Sequence, residues 1–206
     1  MSPFIIGELD CPTGEIIAGD PLFPYIGNEE CAPTLNRKIP TGSYQVELAI
    51  INSSIAGLRY AAARLKVTDK KVVKYECAMP KGYTIEHFNE PGVFGLFGVD
   101  TGTACFCDVA LVEGYKKFLN KFYEKHPKGN IYTDYFEELF AESCKKDSEN
   151  QRDGGDYIVW NIPNTDYRLP IFTSGLGDGA YSTYWGLDKD DEVADVVILF
   201  LNPEYF

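Results

Sequence analysis

The chain has 206 residues, 45% of them hydrophobic and 24% charged, with a formal net charge of −12 at neutral pH. That length can bury a full core without metal or disulfide staples, and the composition is that of a globular protein. No apolar run of about eighteen residues is present, so no membrane-spanning helix is expected, and an acidic chain with no evident basic stripe is not expected to bind nucleic acid.

The first residues, "MSPFIIGELDCPTGE", lack a basic segment ahead of a long apolar core, so no secretory signal is read and the cytoplasm is the expected compartment. Residues 1–43 are rich in Pro, Gly and Asn and predict irregular chain with one or two short strands, packed over a core rather than forming one. The runs 43–51, 59–67 and 70–78 are rich in Val, Ile and Tyr with partial alternation, and predict an antiparallel meander. A Gly- and aromatic-rich stretch, "PGVFGLFGVDTGTACFCDVAL", follows. Helical spacing of Val112, Tyr115, Phe118, Leu119 and Phe122 predicts a helix ended by Pro127 and Gly129. A second helix carries Tyr135, Phe136, Leu139 and Phe140 on one stripe, with Thr133 or Asp134 as its cap. The segment "DSENQRDGGD" predicts a mobile polar loop.

Strands resume at 157–163, 169–175, 180–187 and 193–201, the last apolar enough for a strand covered on both faces. The expected fold class is α+β: one domain over 1–206 with a mainly antiparallel, partly rolled β-sheet and a two-helix insertion at about 112–150.

Several pieces of this chain resemble an uncharacterised, mainly bacterial family, domain of unknown function 4241: "TGEIIAGDPL", "IPTGSYQVELAI", "RYAAARLKV", "FGVDTGTACFCD" and "SGLGDGAYSTYWGLDKDDEV". The resemblance carries no established activity. It implies a setting among bacterial toxin and immunity genes.

Two groups of residues are candidates for function. The first is an enzyme site built from the two Gly-aromatic motifs, with Asp100, Cys105, Asp108 and Asp178. A nucleophilic cysteine needs a base, and His87 is the reasonable partner. The competing structural reading makes Cys105-Phe-Cys107 a core pair and "SGLGDG" a tight corner, with Tyr181, Thr183 and Trp185 on one face of a strand. On that reading Asp100 caps the turn at Gly102. Arg59 and Arg64, five residues apart on a strand, face opposite sides, and one of them is free to pair with Asp100, Asp108 or Asp178.

The second group is an acidic partner-binding turn: Tyr184, Trp185, Asp188, Asp190, Asp191 and Glu192. Residues 153–206 carry ten acids against two bases, which suits a basic protein or toxin domain as partner. No cofactor or metal is expected, because the C-x-C has no second knuckle and the Asp-rich turn lacks a calcium loop's glycine and distal glutamate. The six cysteines are expected as free thiols. The function expected from sequence is a non-enzymatic cytoplasmic binding protein of immunity type that masks a toxin, with the enzyme as the alternative.

Overall fold

The computed structural model describes residues 3–22, 26–28 and 31–202; Glu29, Glu30 and Glu204, which add to the acidity of the chain ends, lie outside them. Among the described residues there are twelve strands and two α-helices, and every strand pairing is antiparallel, an α+β architecture. The strands are divided between two sheets. The seven-stranded sheet runs β1 (Pro3–Cys11), β4 (Gly42–Ser53), β5 (Gly57–Lys66), β12 (Val193–Leu199), β11 (Gly179–Leu187), with β6 (Lys74–Cys77) and β7 (Leu96–Val99) both pairing with β11. The five-stranded sheet runs β3 (Thr34–Lys38), β2 (Glu15–Gly19), β8 (Thr103–Asp108), β10 (Arg168–Thr173), β9 (Tyr157–Asn161).

The meander is therefore corrected. β4 and β5 form the expected hairpin, but β12 and β11 stand between β5 and β6. The N-terminal reading is corrected too: β1 is nine residues long, and Leu9, Cys11, Ile16 and Ile17 all lie in the core. Its strand signal is broken by Gly7, which sits at a register shift where a Cβ would lie 2.5 Å from Val159 Cγ2. The glycine serves close approach of the two sheets, a role that hydrophobic alternation does not reveal.

Alternation along β9 fixes the layering. Tyr157 meets Phe4 of β1 at 5.9 Å, and Val159 lies against Gly7, so these residues face the seven-stranded sheet. Trp160 points the other way, into Phe118 of α1 (Leu111–Lys125) at 4.8 Å and Phe136 at 5.1 Å, just ahead of α2 (Glu137–Lys146). The five-stranded sheet is thus the middle layer, and all six residues of β8 are buried. Double covering had been expected for β12 instead. It is central in its sheet, yet Leu199 at its end is 41% exposed.

The second helix begins differently from expectation. Asn130 Oδ1 accepts the N–H groups of Tyr132 and Thr133, and Asp134 Oδ2 accepts Asn130 N–H, so Asn130 rather than Thr133 or Asp134 is the cap. A π-helical turn, Tyr132–Phe136, leads into α2. The polar loop before β9 is not loose. Buried Gln151 accepts the N–H groups of Asp156 and Tyr157, and Arg152 pairs with buried Asp156 at 2.5 Å.

Arg168 on β10 ties the two sheets together, reaching Asp10 at 2.5 Å and Glu8 at 2.7 Å on β1. Burial pushes the Asp10 carboxyl up, but hydrogen bonds from Arg168 and Ser43 outweigh it and bring its pKa down to about 2. A carboxylate depressed on folding stabilises above its unfolded pKa and loses that contribution as pH falls through its folded one. Denaturant titrations should therefore show a loss on the order of 1–2 kcal/mol between about pH 4 and pH 2, reduced for solvent screening. Asp10→Asn should flatten the same window; an unchanged acid limb would remove this ion pair from the stability of the sheet junction.

Candidate functional site

The two Gly-aromatic motifs meet in space. β7 pairs with β11 so that Val99 opposes Gly179, which leaves Asp100 and Asp178 as the next residues on adjoining chain ends, roughly one strand spacing of about 5 Å apart. Ser174 N–H donates to Gly102 O at 2.9 Å, which locks the second motif onto the first. Both aspartates are exposed.

The turns themselves are held by other groups. Asp20, buried, accepts Asp100 N–H at 3.0 Å, Thr101 N–H at 2.9 Å and the Thr101 hydroxyl at 2.8 Å. The expected cap, Asp100, supplies an N–H to that cluster rather than a carboxylate. The corner at 174–179 is held by the Ser174 hydroxyl and by Tyr181 Oη, both donating to Gly177 O, at 2.9 and 2.6 Å. Gly177 adopts φ +113°, a conformation that favours glycine. Tyr181, Thr183 and Trp185 do share the inner face, so "SGLGDGAYSTYWGLD" is first of all a strand with a glycine corner.

Cys105 and Asp108 do not join the exposed pair. Cys105 is fully buried, and register places it beside Ile171 and Ile158 on the face that the helices cover. Burial, with a smaller push from Asp20, raises its thiol well above the ordinary range, the reverse of an activated nucleophile. His87 stands on an exposed turn, where its Nδ1 accepts Thr84 N–H at 3.0 Å. Asp108 is buried and accepts Thr13 N–H, the Thr13 hydroxyl, Gly14 N–H and Ala110 N–H at 2.8–3.0 Å. It clamps the entry of β2 to the start of α1. Arg64 turns to Glu47 and, at 4.0 Å, Asp195, while Arg59 donates to Leu58 O, so neither arginine makes the expected pair with Asp100, Asp108 or Asp178. All six cysteines are unbridged, and among the described residues no group of three metal-ligating side chains converges.

The acidic turn is partly internal. Trp185 is fully buried and donates Nε1–H to Asn36 Oδ1 at 2.8 Å, so it is core rather than contact surface. Asp188 is buried as well. It accepts Asp190 N–H and Glu192 N–H and pairs with Lys70 at 2.7 Å, which lowers its pKa. Tyr184 is half-buried, while Asp190, Asp191 and Glu192 are exposed. Asp191 is bridged by Arg37 at 3.2 Å and Lys74 at 2.7 Å, and Asp190 pairs with Lys189. The charge run closes its own hairpin, and four bases offset much of its field.

A different surface stands out. Residues 81–96 form an arm whose base is pinned: Lys81 N–H donates to Thr34 O, Asn36 Nδ2–H donates to Tyr83 O, and Gly95 packs on Cys77. Short turns order its tip through His87 N–H to Thr84 O, Phe88 N–H to Ile85 O and Val93 N–H to Glu90 O. On this ordered arm Tyr83, Ile85, Phe88, Phe94 and Leu96 are 41–62% exposed, five of the eleven large apolar side chains so exposed among the described residues. Leu176, 59% exposed, lies on the corner beside Asp178. Glu86, Glu90, Asp100 and Asp178 are exposed on these same segments, and none of the four has an ion pair among the described residues. Such a concentration of exposed apolar side chains makes the arm a candidate interaction surface. The sequence signal was available in "YTIEHFNEPGVFGLF", where seven large apolar residues sit among turn formers with no sustained strand or helix period.

Residues 9–198 match the model of a family described as protein of unknown function, DUF4241. The chain belongs to this family. The match spans strands of both sheets and the two helices, from the last residues of β1 to the penultimate residue of β12. No curated protein and no solved structure matches the chain. No helix among the described residues is long and apolar enough to cross a membrane.

Proposed function

We propose that this member of the DUF4241 family is a non-enzymatic, cytoplasmic binding protein of immunity type, which masks a basic protein partner. The observation that carries the reading is the ordered arm 81–96, with its exposed apolar side chains and the acids Glu86, Glu90, Asp100 and Asp178 around it. An interface of this kind takes its affinity from desolvated aromatic anchors and its speed and selectivity from charge. The arm is ordered by its own backbone bonds, so little entropy is lost on docking. Arg37, Lys70 and Lys74 already occupy the acids at 188–192, so the four acids around the arm are the better source of steering charge.

The alternative, an enzyme centred on Asp100 and Asp178, draws support from the adjacency of those two residues at the end of the β7–β11 pairing. Cys105 and Asp108, both buried and engaged, add nothing to it.

The test is capture from the source cells of a tagged wild-type chain and of a variant with Glu86→Gln, Glu90→Gln, Asp100→Asn and Asp178→Asn. The wild type should retain a basic protein in fixed stoichiometry, and association should slow by about tenfold or more in the variant with a weaker dependence on salt. Equal association rates for the two chains would take these acids out of the interface.

A further inference from the structure

Helix α1 and the loop 163–167 line a groove of about 630 Å³. Gly114 lets the loop approach the helix, since a Cβ there would meet Thr165 Cγ2 at 2.8 Å. Lys117, Lys121 and Lys125 line the groove at four-residue intervals, which spaces them about 6 Å apart along one helix face. His126 extends the row. Between Glu113 and Lys128 the chain has five lysines and two glutamates, a local excess of positive charge in a chain of net charge −12.

These lysines are not all consumed by the fold. Lys117 pairs with Glu113, which also lines the groove, at 2.6 Å. Lys121 and Lys125 are exposed and have no hydrogen bond or ion pair among the described residues. Aromatic walls accompany them. His126 stacks on Phe122 at 4.9 Å with 26° between the rings, and both rings line the groove. Tyr135 and Tyr167 line the cavity, and Asn164, held at φ +62°, presents a polar rim. The volume is that of a site for a small organic ligand rather than for a folded partner.

We propose that this groove binds a small phosphorylated ligand carrying a planar ring, of the nucleotide class. Lysine ammonium groups act as point charges toward phosphate oxygens, and planar rings stack on exposed aromatic faces. The free lysines select the phosphates, and the His126 and tyrosine rings select the base. The site is separate from the arm 81–96, so ligand and protein partner address different surfaces.

Calorimetric titration of the full chain with adenosine triphosphate, adenosine and inorganic tripolyphosphate tests the assignment. Adenosine triphosphate should bind more tightly than either part alone and weaken with salt. Lys121→Gln combined with Lys125→Gln should reduce its affinity about tenfold or more, with an unchanged melting temperature. His126→Ala should weaken adenosine triphosphate and leave tripolyphosphate unaffected. Absence of binding at millimolar adenosine triphosphate, equal affinity in the double-lysine variant, or equal affinity for tripolyphosphate would overturn the proposal. Much tighter binding of a single-stranded oligonucleotide would overturn it as well, and would make the groove a nucleic-acid track instead.

Discussion

Replacing Asp108 by alanine is expected to lower the unfolding free energy by about 3–5 kcal/mol, a large share of a typical domain's total. The carboxylate has no exposed surface and accepts three backbone N–H groups and one hydroxyl, from the turn before β2 and the entry of α1. Removing it leaves those donors without an acceptor in a place water reaches poorly. Asp108→Asn keeps one acceptor oxygen and should cost an intermediate amount. Urea unfolding of both variants measures the effect. A catalytic acid or base at this position would show the opposite pattern, with stability nearly intact, so a change below about 1 kcal/mol would contradict the clamp.

A second large effect is expected at the arm. Phe88→Ser combined with Phe94→Ser should weaken partner binding by about 100-fold or more, because buried aromatic anchors are each worth about 2 kcal/mol or above at an interface. Both side chains are at least half exposed in the free protein, Phe88 at 50% and Phe94 at 62%. Stability should stay within about 0.5 kcal/mol of wild type. Affinity and melting temperature thus separate an interface role from a folding role. A double variant that unfolds early would reassign the two rings to the core, and one that binds normally would remove the arm from the interface.

What could be read from sequence followed where periodicity was uninterrupted. The stripe of α1 and the alternation of Tyr181, Thr183 and Trp185 are legible because each is set by local geometry: 3.6 residues per turn for the helix, two for the strand. β1 was hidden by Gly7, whose function is to let Val159 approach from the other sheet, and no local pattern reports a contact that distant in sequence. β6 was placed beside β5 because nearest neighbours in sequence usually pair, yet β12 and β11 take that position.

The site residues divided along the same line. The closeness of the two Gly-aromatic motifs followed from composition and chain order, whereas the identity of the turn cap did not. Asp20 caps a turn 80 residues away, and its sequence neighbourhood says nothing of this. The acidic turn showed the limit of counting charges. Asp188 and Asp191 look like free surface charge in the sequence, but Lys70, Lys74 and Arg37 arrive from two other segments to neutralise them. Lys117, Lys121 and Lys125 recur every four residues along the helix, but only the loop 163–167 turns that face into the wall of a groove.

The most direct measurement of the binding role is amide hydrogen exchange on the chain alone and in complex with the protein that co-purifies with it. The predicted result is new protection over residues 81–100 and 174–180, with the turn 188–192 and the buried strand β8 unchanged. Protection centred on 188–192 with the arm exchanging as freely as before, or no protein retained in fixed stoichiometry at all, would contradict it.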